Sequence, residues 1–178
     1  ARSQTIDVSI VKPGEEPPRI SLLSTATDTA GTLRGHLNVI HERPALRSLL
    51  VGETADSITL RHPSGLPIEI KTIAAQRGGY SLAARWSGSV IFDEAPGWHS
   101  TDKIVSLEES REQTLGRLLT GAQAIYGGSP WQPAGFCFDA WRGSFGKPSA
   151  DMLVIQAGPA WELNPVYWTP ERVERVKR

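Results

Sequence analysis

The sequence has one cysteine, Cys137, among its 178 residues. No internal disulfide framework is possible, so folding must rest on a buried core, and the composition suits a reducing compartment. No apolar run approaches the roughly 20 residues that would cross a bilayer as a helix, so no membrane partner is expected. Net charge is also lacking: 19 Lys and Arg balance 19 Asp and Glu. The strong basic field that advertises nucleic-acid binding is missing, although overall balance is compatible with a local patch. The histidines, His36, His41, His62 and His99, show no metal-ligand spacing. No Ser-His-Asp arrangement can be assembled. Finally, no G-x-x-x-x-G-K-[ST] phosphate loop occurs. Gly143-Ser-Phe-Gly146-Lys147-Pro148 comes nearest, but its first glycine is too close and proline stands where Ser or Thr is required, so it reads as a surface turn.

What is present centres on Gly88-Ser-Val-Ile-Phe-Asp93-Glu94-Ala-Pro-Gly97. Val90, Ile91 and Phe92 form a short apolar run with strand propensity, and Pro96-Gly97 stops it. Such a run suits a strand buried on both faces of a parallel sheet. Asp93 and Glu94 then stand at its carboxyl end, where open α/β sheets place their ligand crevice. Adjacent carboxylates there can divide two tasks, one holding Mg²⁺ and the other activating water. The competing reading is an ordinary strand exit into solvent.

Along the chain, Pro13-Gly14-Glu15-Glu16-Pro17-Pro18 is a loop and Ile20–Ser24 a strand. A helix is expected from about Thr29 to Glu42, with Leu33, Leu37 and Ile40 inward, and a short helical turn after Pro44 carries Leu46, Leu49 and Leu50. Ser57–Arg61 and Ile68–Lys71 alternate around Pro63-Ser64-Gly65, which predicts a β-hairpin, as an insertion or an antiparallel edge. Gln76–Ser81 is a glycine-containing loop. A helix from about Asp102 to Thr120 sets Ile104, Leu107, Arg111, Leu115 and Leu118 along one face, with the Arg111 head snorkelling to water. Ala122–Tyr126 and Met152–Gln156 are further strands, and Thr169-Pro170-Glu171 is a helix start. Trp131, Trp141, Trp161 and Trp168 read as packing residues before base-stacking ones. Strands alternating with helices imply an α/β fold with a mostly parallel sheet.

Tyr126-Gly127-Gly128-Ser129-Pro130 closes the strand after the acidic one, so it can lie beside Asp93 and Glu94. Its small residues allow close backbone approach, and a serine hydroxyl there can sense a phosphate or a water. Arg77 and Arg85 lie upstream of the acidic strand, and either can neutralise phosphate charge.

In this order the motifs resemble the ATPase domain of the terminase large subunit, the DNA-packaging motor of tailed phages. The resemblance runs from about Ile20 to the C-terminus and rests on Ile20–Ser24 with Thr27–Ala30, Arg43–Leu46, the hairpin through Pro67–Ile70, Gln76-Arg77-Gly78, Ser89–Ala95, Tyr126–Pro130, Asn164-Pro165 and Thr169–Glu171. It implies a three-layer, P-loop NTPase-like (ASCE) sheet with a hairpin insertion, and ATP hydrolysis coupled to DNA translocation into a procapsid. Asp93 would bind Mg²⁺ and the nucleotide, Glu94 would polarise the attacking water, and Ser129 would couple nucleotide state to motion. Arg77 would act as an arginine finger on a neighbouring subunit, with Arg85 as substitute. The implied partners are ATP and Mg²⁺, double-stranded DNA, the portal protein, the terminase small subunit and further copies in a ring, in the host cytoplasm. The missing phosphate loop implies a single partial ATPase domain over 1–178. Its core is about 20–160, and 161–178 is an exit towards a nuclease domain. By itself the chain is expected to hydrolyse ATP poorly. The alternatives are a helicase-like nucleic-acid-dependent ATPase and a non-catalytic assembly domain.

Overall fold

The computed structural model describes residues 5–75, 85–98 and 105–177. In chain order the elements are β1 (Arg19–Ser24), α1 (Thr27–His36), α2 (Val39–Glu42), α3 (Pro44–Arg47), β2 (Leu50–Glu53), β3 (Ser57–Arg61), β4 (Pro67–Ala74), β5 (Ser87–Phe92), α4 (Leu107–Leu115), β6 (Ala124–Tyr126), α5 (Phe136–Ser144), α6 (Ala160–Leu163) and α7 (Pro170–Lys177). The chain divides into two compact units, Ala1–Cys137 and Phe138–Arg178.

The first unit holds a six-stranded sheet in the order β2-β3-β4-β1-β5-β6. β4, β1, β5 and β6 run parallel, and β3 and β2 add an antiparallel margin. The fold is thus α/β with a mostly parallel sheet, as the alternation of elements predicted, and it is compatible with three layers. β1 and β5 are buried along nearly their whole length, which is what unbroken apolar runs require. Leu23, Val90 and Phe92 pack with Ala75, Ala95, Trp98 and Leu107 into one cluster, and Ile6, Val8, Val11, Ile20, Ile68 and Leu119 into another. Helix α1 lies on β1 and β4, and α4 lies on β5.

The expected hairpin is present, with Gly65 in the left-handed region at its turn (φ 90°). It is not a detached insertion, because β4 also pairs in parallel with β1. Leu50 enters a strand, β2, rather than a helical turn: paired with Leu60, it joins the ladder against β3. The helix expected over Thr29–Glu42 is broken at Leu37-Asn38. There the amides of Leu37 and Asn38 bond to the carbonyls of Arg34 and Gly35, three residues back, and Gly31 and Gly35 weaken helical continuity before the break.

α4 is shorter than its periodicity suggests. Ser106 caps it by accepting a hydrogen bond from the Glu109 amide (3.1 Å). Its buried face is Leu107, Ser110 and Thr114, and Leu115 is exposed. The hydroxyls of Ser110 and Thr114 return to the carbonyls four residues back (2.8 and 2.6 Å), which lets polar residues occupy buried positions. Ile104 lies outside the described residues.

In the second unit α7 begins with Pro170 at its first position, as expected. Met152–Gln156 forms no strand. Leu153 and Ile155 are exposed there, and an apolar run becomes a strand only where a neighbouring edge satisfies its backbone. No helix among the described residues is long and apolar enough to cross a membrane.

Candidate functional site

The parallel register brings the carboxyl ends of three strands side by side. Leu23 of β1 faces Phe92 of β5, and Phe92 faces Tyr126 of β6. Beyond Phe92 the chain exits through Asp93-Glu94, and beyond Tyr126 through Gly127-Gly128-Ser129. The two stretches singled out in the sequence are therefore neighbours at the edge where parallel sheets hold ligands.

Backbone groups fix the first exit. The Asp93 amide donates to the Leu23 carbonyl (2.9 Å), and the Asp93 carbonyl accepts from Trp98 Nε1 (2.8 Å). Glu94 adopts the left-handed conformation (φ 51°), the one non-glycine with positive φ among the described residues. A Cβ makes that region costly, and such residues persist where their surroundings over-determine them. A 3₁₀ turn, Ala95–Gly97, follows, and the Gly97 amide closes it onto the Glu94 carbonyl (2.9 Å).

The second exit locks onto the first. The Gly127 amide donates to the Phe92 carbonyl (3.0 Å), and the Gly127 carbonyl accepts from the Ala95 amide (2.8 Å). Gly128 (φ 145°) lies against the Glu94 backbone so closely that a Cβ there would stand 2.8 Å from both Glu94 Cα and Pro96 Cδ. The Ser129 amide then donates to Glu94 Oε2 (3.3 Å). Serine thus meets the glutamate through its backbone amide. Glu94 is exposed and Asp93 half-buried. No ion pair among the described residues involves either carboxylate.

Beneath the exits, Phe92 and Tyr126 stack face to face, their centroids 4.9 Å apart at 2°. Arg111 Nε donates to Tyr126 Oη (3.0 Å), and its guanidinium lies 3.7 Å above the Phe136 ring. The head turns inward rather than snorkelling outward. Burial raises the Tyr126 phenol above its usual range, with the Arg111 hydrogen bond opposing it, and burial likewise pushes the Cys137 thiol up. That thiol is poorly suited to nucleophilic work.

Arg77 falls outside the described residues. Arg85 stands at the amino end of β5, its guanidinium held by Glu69 (2.8 Å) and Glu16 (2.7 Å), so it is remote from the Asp93-Glu94 exit of its own sheet. His36, His41 and His62 gather no metal set, and no group of three or more His, Cys, Asp and Glu among the described residues could hold an ion. Asp93 offers at most a single carboxylate at this exit. The sequence holds no G-x-x-x-x-G-K-[ST] loop to accompany it. Sequence patterning gave no signal for Tyr126 and Arg111 as supports, because Arg111 occupies a slot in an apolar stripe.

Compared with known proteins, the chain matches no family model, no curated protein and no solved structure. Fold and site together define a class: an α/β domain whose mostly parallel sheet presents two adjacent carboxylates at its carboxyl edge.

Proposed function

We propose that this edge is the water-activating and coupling part of a nucleotide-hydrolysis site, of the kind the terminase resemblance implies. The observation that carries the reading is the contact of Glu94 with Gly128 and Ser129. Two motifs separated by a helix meet through a strained carboxylate-bearing residue. Bound Mg²⁺ and ATP would supply the electrophilic phosphorus and the charge neutralisation. The chain's own contributions are then distinct. Asp93 would hold the hydrated metal. Glu94 accepts a proton from water through its carboxylate. The 127–129 loop sets the direction of that carboxylate, so a shift of the loop alters the readiness of the base. DNA, the portal protein, the small subunit and ring assembly follow from the same resemblance. The lack of a phosphate loop favours the second reading, a non-catalytic assembly domain that keeps the sheet.

The test is ATP turnover by the natural gene product that carries this sequence, beside its Glu94→Gln variant. The expected result is a fall of about 100-fold or more in kcat with ATP binding retained. A gene product that binds no Mg²⁺·ATP, or a Gln variant that turns over like the parent, overturns the proposal and leaves the assembly domain. The isolated 178-residue chain is expected to hydrolyse ATP poorly or not at all.

A further inference from the structure

β6 is three residues long and pairs on one side only, with Val90, Ile91 and Phe92 facing Ala124, Ile125 and Tyr126. So short an outer strand has little ladder to hold it, and segments of this kind open at low free energy. Yet the loop leaving it must be placed closely enough for Gly128 to touch the Glu94 backbone. Something besides strand pairing has to set its height.

The side chains beneath supply that hold. Tyr126 is the last residue before Gly127, and Phe92 the last before Asp93. Their stacked rings tie the two exits together directly below the contact between Glu94 and Ser129. A stack alone resists separation but permits sliding, since offset aromatic arrangements differ little in energy. The phenol oxygen is what fixes the slide. Arg111 comes from α4, whose N-terminus is capped by Ser106, and donates its Nε to Tyr126 Oη while its guanidinium lies on the Phe136 face. A planar group clamped on one ring and bonded to the edge of another has a defined position, which a lysine ammonium would lack.

We infer that Arg111 is a positioning residue: through Tyr126 it sets the 127–129 loop against Glu94. Its consequence for chemistry rests on the function proposed above, whereas the contact itself does not. α4 leads from the acidic exit to β6, so movement of this helix reaches the glutamate through one hydrogen bond and one ring stack.

The experiment compares the Ser129 amide by NMR in the ¹⁵N-labelled chain, at one fixed neutral pH, with and without Glu94→Ala, which removes the acceptor. In the parent chain the amide signal should move when Glu94 is replaced. In Arg111→Ala the Glu94-dependent part should shrink by about twofold or more, and in Tyr126→Phe, which keeps the ring stack, it should shrink in the same sense. If Arg111→Ala fails to fold, Tyr126→Phe decides. A merely structural clamp would lower the melting temperature of both variants and leave the Ser129 response intact, and that result overturns the inference. So does a parent chain whose Ser129 amide ignores Glu94. In the natural gene product Arg111→Ala should lower kcat by about 10-fold with little change in KM. Unchanged kcat overturns the inference. Absence of turnover in the parent gene product instead sinks the proposed function, while the amide response still decides the contact.

Discussion

The two edges of the sheet handle charge in opposite ways. At the amino edge Arg19, opening β1, pairs with Glu69 of the facing β4 position (2.8 Å), and Arg85 reaches the same carboxylate and Glu16. Arg19, Glu69 and Arg85 are mostly shielded there, and each positive group has an acidic partner. At the carboxyl edge the Glu94 backbone lies against Gly128 and its carboxylate accepts from the Ser129 amide, and among the described residues neither Asp93 nor Glu94 forms an ion pair. One edge neutralises its charge internally and so contributes to stability. The other holds negative charge in place by backbone geometry, an arrangement suited to a charge that an incoming cation or water will use.

The largest expected effect lies at the carboxyl edge and tests whether backbone proximity is what holds it. Gly128→Val adds atoms where Glu94 Cα and Pro96 Cδ already stand 2.8 Å from an ideal Cβ, and at a φ of 145°. Steric displacement and backbone strain should together cost about 3 kcal/mol. Gly52→Ala is the matched control, since nothing lies within 4 Å of a Cβ there. Chemical denaturation of the two variants checks the difference, and equal stabilities would break the claim that the exits are locked together.

A smaller effect is expected at the amino edge. Glu69→Gln leaves Arg19 and Arg85 without the carboxylate they share, and both guanidiniums are largely shielded. The loss should be about 2 kcal/mol by denaturation, smaller at high salt. The Ser129 amide response to Glu94 should not change. A changed response would mean that the two edges are coupled, and the contrast between them would fail.

The legible parts of this molecule were those written in local pattern. β1, β5, the hairpin and the Pro170 helix start follow from apolar runs, alternation and a proline, and the neighbouring placement of Glu94 and Ser129 follows from alternation of strands and helices. Three features depended on partners distant in sequence. Leu50 joins β2 only because Leu60 lies alongside. Met152–Gln156 has strand composition but forms no strand, because composition alone supplies no backbone partner. Arg111 sits in an apolar stripe, where sequence alone suggests a snorkelling head, and only the presence of Tyr126 and Phe136 turns it inward. The left-handed Glu94 had no sequence signal either, since Asp-Glu before Ala-Pro is unremarkable until Gly128 is brought against it.

The smallest expected effect separates two ways in which Ser129 can serve the carboxyl edge. A hydroxyl that senses phosphate or water would be lost in Ser129→Ala. The geometry instead gives Glu94 Oε2 the backbone N–H, which alanine keeps. Ser129 is exposed, so Ser129→Ala should change stability by no more than about 0.5 kcal/mol. It should leave the amide at position 129 responsive to Glu94. Ser129→Pro removes the donor altogether and restricts the preceding Gly128. In that variant the Glu94 side-chain carboxyl carbon, followed by NMR, should match its signal in the Gly128→Val chain rather than in the parent. If Ser129→Ala instead abolishes the amide response, the hydroxyl is the coupling group, and the carboxyl edge is organised by a side chain just as the amino edge is.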